Sequence, residues 1–431
     1  MPERDLPYDA ILLVGFGGPE GPEDVLPFLQ NVTRGRGIPP ERLAVVGRHY
    51  DHFGGVSPIN EQNRALRAAL AAELDRREID LPVLWGNRNW SPYLADALRD
   101  ADGGGRAGGG PTRLLALVTS AYSSYSSCRQ YREDLADALA ATGLGDRLRI
   151  DRIRQYFDHP GFIEPAARGL AEALRAMRAD LASAPGGGRI EVLFTTHSIP
   201  TLMAESSGAP PFGGPGASAG GDVGTGGVYE RQHLAAAALI AEAAARLLGN
   251  GADGNGADGD RAGGNDVAAI DRDRSAAPTP LSWRLVYQSR SGPPSVPWLE
   301  PDVNDAIAAL AADGAAGVVL VPSGFVSDHI EVRWDLDEEA RDTAAQHGLA
   351  FARVPTAGAD PQFVAAMVDL IEERLDPARP VEALSALGPW PAVCPAGCCP
   401  NPHVRKPAAA GSDNGAVVSR ADDGAASVEI G

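Results

Sequence analysis

The sequence predicts an α/β fold of parallel sheets with crossover helices, divided into two domains. Three observations carry that prediction. Eight short apolar runs punctuate the chain, each followed by helical spacing of apolar residues, the pattern of strand–helix–strand units. The 431 residues are enough for two domains and a linker or tail. Near residues 155–160 the segment RQYFDHPGF interrupts the alternation and marks a boundary.

Taken in order, the expected strands are Ala10–Val14, Val83–Gly86, Leu114–Thr119, Leu148–Ile153, Ile190–Thr196, Arg284–Gln288, Val318–Pro322 and Ala350–Val354. The expected helices are Pro22–Asn31, Ile59–Arg77, Cys128–Ala141, Gly161–Leu181, Tyr229–Leu248, Val303–Ala312, Asp328–Gln346 and Pro361–Arg374. The first domain is expected over 1–157 and the second over 158–327, with helices of 328–376 returning to the first. A cysteine-bearing segment, 377–403, and a disordered tail, 404–431, follow. Insertions at 208–227 and 249–280, and a shorter one at 102–111, are so rich in Gly, Pro, Ala, Asp and Asn that they bury too little apolar surface to offset ordering entropy.

Composition narrows the function classes. A net charge of −19 argues against nucleic-acid binding. The N-terminal PERDLPYDA has no basic-then-apolar leader, and no run reaches the ~18 apolar residues of a membrane span, so a cytoplasmic protein is expected. Lys406 is the single lysine, so arginine carries nearly all positive charge. Three of the four cysteines lie within six residues, which in a cytosolic chain points to metal rather than disulfides.

The chain is organised around Val318–Arg341, VVLVPSGFVSDHIEVRWDLDEEAR, where a buried strand turns through Ser323 and Gly324 into an acidic helix. Glu331, Asp335 and Glu339 recur at spacing four and stack along one face, with Asp328 and His329 at its mouth. Like charges at that spacing cost an isolated helix only ~0.2–0.5 kcal/mol per pair, so the row alone also suits a solvated face. Its distant partner is Thr195–Pro200, where another strand delivers His197 at its carboxyl end, the place where open α/β sheets do ligand chemistry. Histidine there accepts protons or binds metal at neutral pH. The pair reads as a divalent-metal site with a delivery path.

The remaining motifs support a cleft. Gly15-Phe16-Gly17-Gly18-Pro19-Glu20 lacks the G-x-G-x-x-G spacing of a dinucleotide site and reads as a close wall presenting Phe16 to a flat ligand. NVTRGRGIP places Arg34 and Arg36 on a loop, and Arg48, Tyr50 and Gly54-Gly55-Val56-Ser57-Pro58 follow. Arginine there suits carboxylates, and Ser57 equally suits an N-cap for the helix from Ile59. SAYSSYSSCRQY places Tyr122, Tyr125 and Tyr131 past the third strand, as cleft lining or as a polar loop. QSRSGPPSVPWL is rigid, and Trp298, like Trp283 and Trp334, suits a cleft wall or a core. Cys394, Cys398 and Cys399 form a C-x3-C-C cluster whose adjacent pair suits iron–sulfur ligation better than a zinc knuckle. Cys128 is the candidate fourth ligand, and zinc is the alternative.

GFGGPEGPEDVLPFL, NVTRGRG, HFGGVSPIN, HSIP, QSRSGPPSVPWLEPD and PSGFVSDHIEVRWDLD, in this order from about Tyr8 to Leu375, together resemble the ferrochelatase family. The resemblance implies the chelatase fold, two Rossmann-like domains with parallel sheets facing a porphyrin cleft. It implies insertion of ferrous iron into a porphyrin by a monomer, with other haem-pathway enzymes as transient contacts. His197 matches the histidine of the HS[IL]P motif and Glu331 the glutamate of DHxE, the catalytic and iron-side pair. Asp335 and Glu339 match the acidic path. Ser57 and Tyr131 match porphyrin contacts, as Arg34, Arg48, Tyr50 and Phe16 suit contact by position. Phe16 departs from members with Tyr or Met there, since Phe cannot approach iron axially, and Thr33 stands where some members carry arginine. The cysteines resemble those of members with a C-terminal 2Fe–2S cluster, three ligands from the tail and one from the body. This variant of the family is associated with coproporphyrin III, whose extra propionates Arg34, Arg36 and Arg48 can receive. Protoporphyrin IX, cobalt or nickel insertion into a reduced tetrapyrrole, and a non-enzymatic haem-binding module are the other readings.

Overall fold

The computed structural model describes residues 6–35, 37–103, 110–182, 188–208, 226–249, 280–401, 404 and 406–412. The expected Gly-rich insertions and tail lie largely outside these residues, as does Arg36. Two four-stranded parallel sheets form the frame. The first contains β1 (Ala10–Gly15), β2 (Val83–Asn87), β3 (Thr112–Val118) and β4 (Leu148–Arg152) in the order β2-β1-β3-β4. The second contains β5 (Ile190–His197), β6 (Trp283–Gln288), β7 (Gly317–Val321) and β8 (Ala350–Arg353) in the order β6-β5-β7-β8, the same winding repeated. All eight expected strands are present, and their ends move by no more than two residues.

The strands read as continuous apolar runs because both faces are covered. Alternation along them assigns each residue to a face. Ile11 and Leu13 point into one core while Leu12 and Val14 point into another. Likewise Val192, Phe194, Val319 and Val321 join the first core, and Leu193, Val318 and Leu320 a third. The first core is continuous from one sheet to the other. It passes through α3 (Ile59–Arg76), α6 (Pro160–Leu181), α8 (Gly227–Gly249) and α12 (Pro361–Leu375). α12 packs on α3, where Arg77 bonds Glu73, Asp369 and Glu372 at 2.7–2.8 Å. Residues 330–346 pack instead with the second sheet, through Val332, Leu336, Ala340 and Ala344.

Several elements differ from expectation. The helix expected over 328–346 is three pieces, α10 (Ile330–Val332), a π-helical stretch (Arg333–Glu339) and α11 (Ala340–Gln346). A second π-helical turn, Tyr125–Arg129, opens α5 (Gln130–Thr142). Such turns concentrate at functional sites. The sequence reading missed α2 (Pro40–His52), α4 (Leu94–Asp102) and the short α7 (Thr201–Glu205), whereas α1 (Pro22–Val32) and α9 (Val303–Ala312) stand as expected. The α1–α2 lobe has its own small core of Val25, Phe28, Leu29, Leu43 and Tyr50, which reaches across to Ile330. No described helix is long and apolar enough to cross a membrane.

Phe363 of α12 is fully buried with its ring against Tyr156 and Phe162. Phe363→Ala is expected to lower unfolding free energy by about 3–5 kcal/mol in urea titration, because this joint cannot collapse without moving α6.

Candidate active site

The carboxyl ends of the central strands carry the motifs. β1 leads into Phe16 and β3 into the hydroxyl-rich loop; β5 ends at His197 and β7 leads into the turn before α10. Strand order reverses at β1/β3 and at β5/β7, the crevice positions of doubly wound sheets. The two crevices are joined, since the Tyr122 hydroxyl donates to the Ser323 carbonyl at 2.8 Å and the Asp328 amide donates to Gln62 Oε1 at 2.9 Å.

His197 is held on three sides. Its Nδ1–H donates to the Ser198 carbonyl at 2.5 Å, which leaves Nε2 as the acceptor nitrogen. The Tyr229 hydroxyl donates to the His197 carbonyl at 2.9 Å. The proline-rich segment pins the following loop, Ser198 Oγ donating to the Leu299 carbonyl at 2.9 Å and Trp298 bridging to Pro200. Trp298 is therefore a half-buried clamp behind the histidine. Nε2 lies 3.7 Å from Glu331 Oε2, and His329 Nδ1 lies 4.0 Å from the same oxygen. Burial pushes the His329 imidazole below its ordinary pKa. The two motifs identified at a distance in sequence thus meet.

The acidic row continues from Glu331 through Asp335 to Glu339. Asp335 is covered and accepts hydrogen bonds from Ser289 and, at 3.3 Å, from Gln288. Burial raises its pKa to about 8, with Glu331 and Glu339 adding to the rise and the Ser289 bond opposing it. Glu339 accepts from Trp334 Nε1 at 2.8 Å, and the Trp334 indole stacks on His49 of α2 at 4.0 Å. Trp334 is thus neither core nor bare wall but the joint between the lobe and the row. Trp283 packs edge-on against Phe194 at 5.5 Å, as core. Asp328 turns away from the row to the Arg353 guanidinium, at 3.2 Å, and to Thr356.

The lobe supplies the other wall. Phe16 packs edge-on against Phe28, which also meets Tyr50 and Trp90. Tyr50 is buried, and burial together with the Glu331 carboxylate raises its hydroxyl pKa, which places that hydroxyl within electrostatic reach of the pair. Arg34 and Arg48 are exposed and bonded locally, to Asn31 and to the Ala44 carbonyl. Thr33 donates to the Leu29 carbonyl of its own helix. Ser57 is buried against Gly18, and α3 has no side-chain cap, so Ser57 does not act as one. Tyr131 is buried rather than lining an open surface, its ring covered by the Arg88 guanidinium at 4.7 Å. Arg88 also lies 5.6 Å from the Phe16 ring and pairs with Asp134 at 2.7 Å. The sequence reading overlooked Arg88, whose signal was only its place just past β2.

The four cysteines assemble away from this pair. Cys128, Cys394, Cys398 and Cys399 form one buried cluster, with 3.8 Å between the sulfurs of Cys398 and Cys399. Hydrogen bonds from Cys394 and Cys399 lower the pKa of both Cys128 and Cys398, the latter to about 5. Arg152, wholly buried, donates to Cys128 Sγ at 2.9 Å, and the Gly208 amide donates to Cys399 Sγ at 3.1 Å. Among the described residues no group of three or more His, Cys, Asp or Glu is spaced to hold a single metal ion. The sulfurs touch one another instead.

Two doubly wound parallel sheets with a His–Glu pair at their carboxyl ends are an α/β frame of the enzyme kind. The chain belongs to the ferrochelatase family, which it matches over residues 8–375. It is 52% identical over 407 residues to the coproporphyrin III ferrochelatase of Leifsonia xyli subsp. xyli, covering 94% of each chain. It is 49% identical over 415 residues to that of Streptomyces coelicolor, covering 95% of this chain and 97% of the other. The solved structure of SirB from Bacillus subtilis with Fe3+ aligns at 12% identity and TM-score 0.40, over 85% of this chain and 96% of that one.

Behind His197, His233 of α8 is fully buried, and burial drives its pKa down to about 3. The unfolded chain binds a proton there below about pH 6.5 and the folded one does not, so stability present above that pH is lost as pH falls, by up to about 1.4 kcal/mol per unit. His233→Asn is expected to flatten that part of the acid slope in urea titrations at pH 7.5, 6 and 5.

Proposed function

We propose that this protein inserts ferrous iron into coproporphyrin III, with His197 as the proton acceptor and Glu331 as its partner. The observation that carries the assignment of roles is the 3.7 Å approach of His197 Nε2 to Glu331 Oε2. Two pyrrole protons leave for each metal that enters, so an acceptor within reach is required. With Nδ1–H committed to the Ser198 carbonyl, Nε2 is the nitrogen that takes a proton. The resulting imidazolium is stabilised by the Glu331 carboxylate, which is half exposed and passes the proton to water. Iron reaches the pair along Glu339 and Asp335. The lobe of Phe16, Phe28 and Tyr50 and the loop holding His197 clamp the macrocycle from its two faces. Distortion of the ring by ~1–5 kcal/mol is drawn from remote binding energy.

The choice of coproporphyrin III is supported by the activity named for the relatives and by Arg34 and Arg48, whose exposed guanidinium groups suit propionates. Phe16 offers iron no ligand atom, so axial coordination is not part of this reading. Ser57 and Tyr131, both buried, act through Gly18 and Arg88 rather than by open contact.

A 2Fe–2S cluster held by Cys128, Cys394, Cys398 and Cys399 completes the reading. The residues fit that group on one point of electrostatics. Arg152 has no carboxylate partner among the described residues; its bonds go to the Ile153 carbonyl and to a cysteine sulfur. A buried guanidinium needs anionic neighbours, and the thiolates that would hold a cluster provide them. Such a cluster supplies structure or regulation, since chelation changes no oxidation state.

Iron insertion into coproporphyrin III and protoporphyrin IX, followed side by side by absorbance, tests the substrate. Faster turnover of coproporphyrin III is expected, and preference for protoporphyrin IX sinks that choice. His197→Ala is expected to abolish insertion while porphyrin still quenches tryptophan fluorescence, and wild-type turnover in that variant ends the assignment. Purified protein is expected to be brown and to lose its visible bands in Cys394→Ser; a colourless, zinc-bearing protein would replace the cluster by zinc.

A further inference from the structure

His197 is anchored from behind by residues that never reach the cleft. The Tyr229 hydroxyl lies 2.9 Å from both the His197 carbonyl and Thr196 Oγ1. His233 Nδ1–H donates to the Tyr229 carbonyl and its Nε2 accepts from Thr196, at 2.8 Å each, so the Tyr229 proton is shared between its two oxygens. Tyr122 covers this group, its ring stacked on His233 at 3.6 Å. All four side chains are at most 2% exposed.

The same tyrosine is tied to the cysteines. Its amide donates to Ser207 Oγ at 2.9 Å. The next residue, Gly208, donates its amide to Cys399 Sγ at 3.1 Å and accepts from the Cys399 amide at 3.0 Å. Gly208 has φ +84°, where side chains are strained, and a Cβ there would collide with Val228. The left-handed backbone is what turns both polar groups of Gly208 toward one cysteine. One hydrogen-bonded chain therefore runs Cys399, Gly208, Ser207, Tyr229, His197.

We propose that Tyr229 is a positioning residue for His197, and that Ser207 and Gly208 couple it to the four-sulfur centre, so that the state of that centre sets how firmly His197 is held. The coupling rests on the cluster reading above; the positioning role does not. An amide bond to an anionic, metal-bound sulfur is shorter and about twice as strong as one to a neutral acceptor. Loss of the cluster weakens the Gly208 tether and frees Ser207. A contiguous path is not itself coupling, which has to be measured as non-additivity.

The test uses full-length protein, as purified and after the centre is stripped with a chelator under reduction. Tyr229→Phe, Ser207→Ala and a neighbouring control, Ser206→Ala, are compared by steady-state kinetics, porphyrin fluorescence quenching and hydrogen exchange of the amides at 195–198. Tyr229→Phe is expected to raise the KM for ferrous iron or lower kcat by about tenfold to a hundredfold. Its exchange at 196–198 speeds up, while porphyrin affinity and visible absorbance stay unchanged. Stripped wild type is expected to show the same faster exchange. Ser207→Ala shows it while still loaded, and stripping adds nothing further. Ser206→Ala behaves as wild type. Unaltered iron kinetics and exchange in Tyr229→Phe overturn the positioning role. Additive effects of Ser207→Ala and stripping overturn the coupling. A colourless wild-type protein removes the cluster and the coupling with it, while Tyr229→Phe still decides the fate of the positioning role. Should that variant not fold, exchange in Ser207→Ala answers for both.

Discussion

The approach of His197 to Glu331 depends on one clamp between neighbouring strands. The Gly324 amide, in the turn after β7, donates to the Thr195 carbonyl near the end of β5 at 3.1 Å, and any Cβ at Gly324 would collide with the Thr196 hydroxyl. Backbone meets backbone there because nothing stands between. The turn is thereby laid against the strand that ends in His197, and the chain leaving it can travel only toward that histidine. Ile330 and Val332 bury on either side of Glu331, in different cores, which fixes the direction of the carboxylate between them. A bulkier turn would part the strand ends and open the His197–Glu331 distance without touching either residue.

The site sits where two kinds of constraint cross. Behind it Tyr229, His233, Thr196 and the proline-rich segment hold the strand end and leave His197 one free ring nitrogen. In front, Glu331 and Glu339 remain exposed while Asp335 between them is covered, so the acidic row dips below the surface and returns along a π-helical stretch. The lobe meets the row through an aromatic stack, Trp334 on His49, and through Ile330, which joins the lobe's small core.

The frame was legible because parallel strands covered on both faces leave continuous apolar runs, as in Ala10–Gly15 and Gly317–Val321. The His197–Glu331 pair was legible because strand ends in such sheets converge. α2 escaped because its buried face is small, Leu43 and Tyr50, and Gly47 and paired valines interrupt PERLAVVGRHYDH. The π turns were invisible, since bonding to the fifth residue leaves no spacing that differs plainly from an α-helix. That Ser57 and Tyr131 are buried, beside Gly18 and Arg88, is something spacing does not show. Arg88 and Tyr229 matter through partners from other elements, and no local pattern announces them.

The last described residues have a consequence for how the molecule is made. Ala408, Ala409 and Ala410 are buried, the latter two in the outer core of the first sheet. Ala409 exchanges hydrogen bonds with Arg132, and Ser412 donates to the Cys394 carbonyl. A chain emerging from the ribosome forms its first sheet early, at a time when these residues do not yet exist. A layer of the protein made early is therefore sealed by one made late, and a nascent chain stalled before Ala408 leaves that outer face of the first sheet open to chaperones.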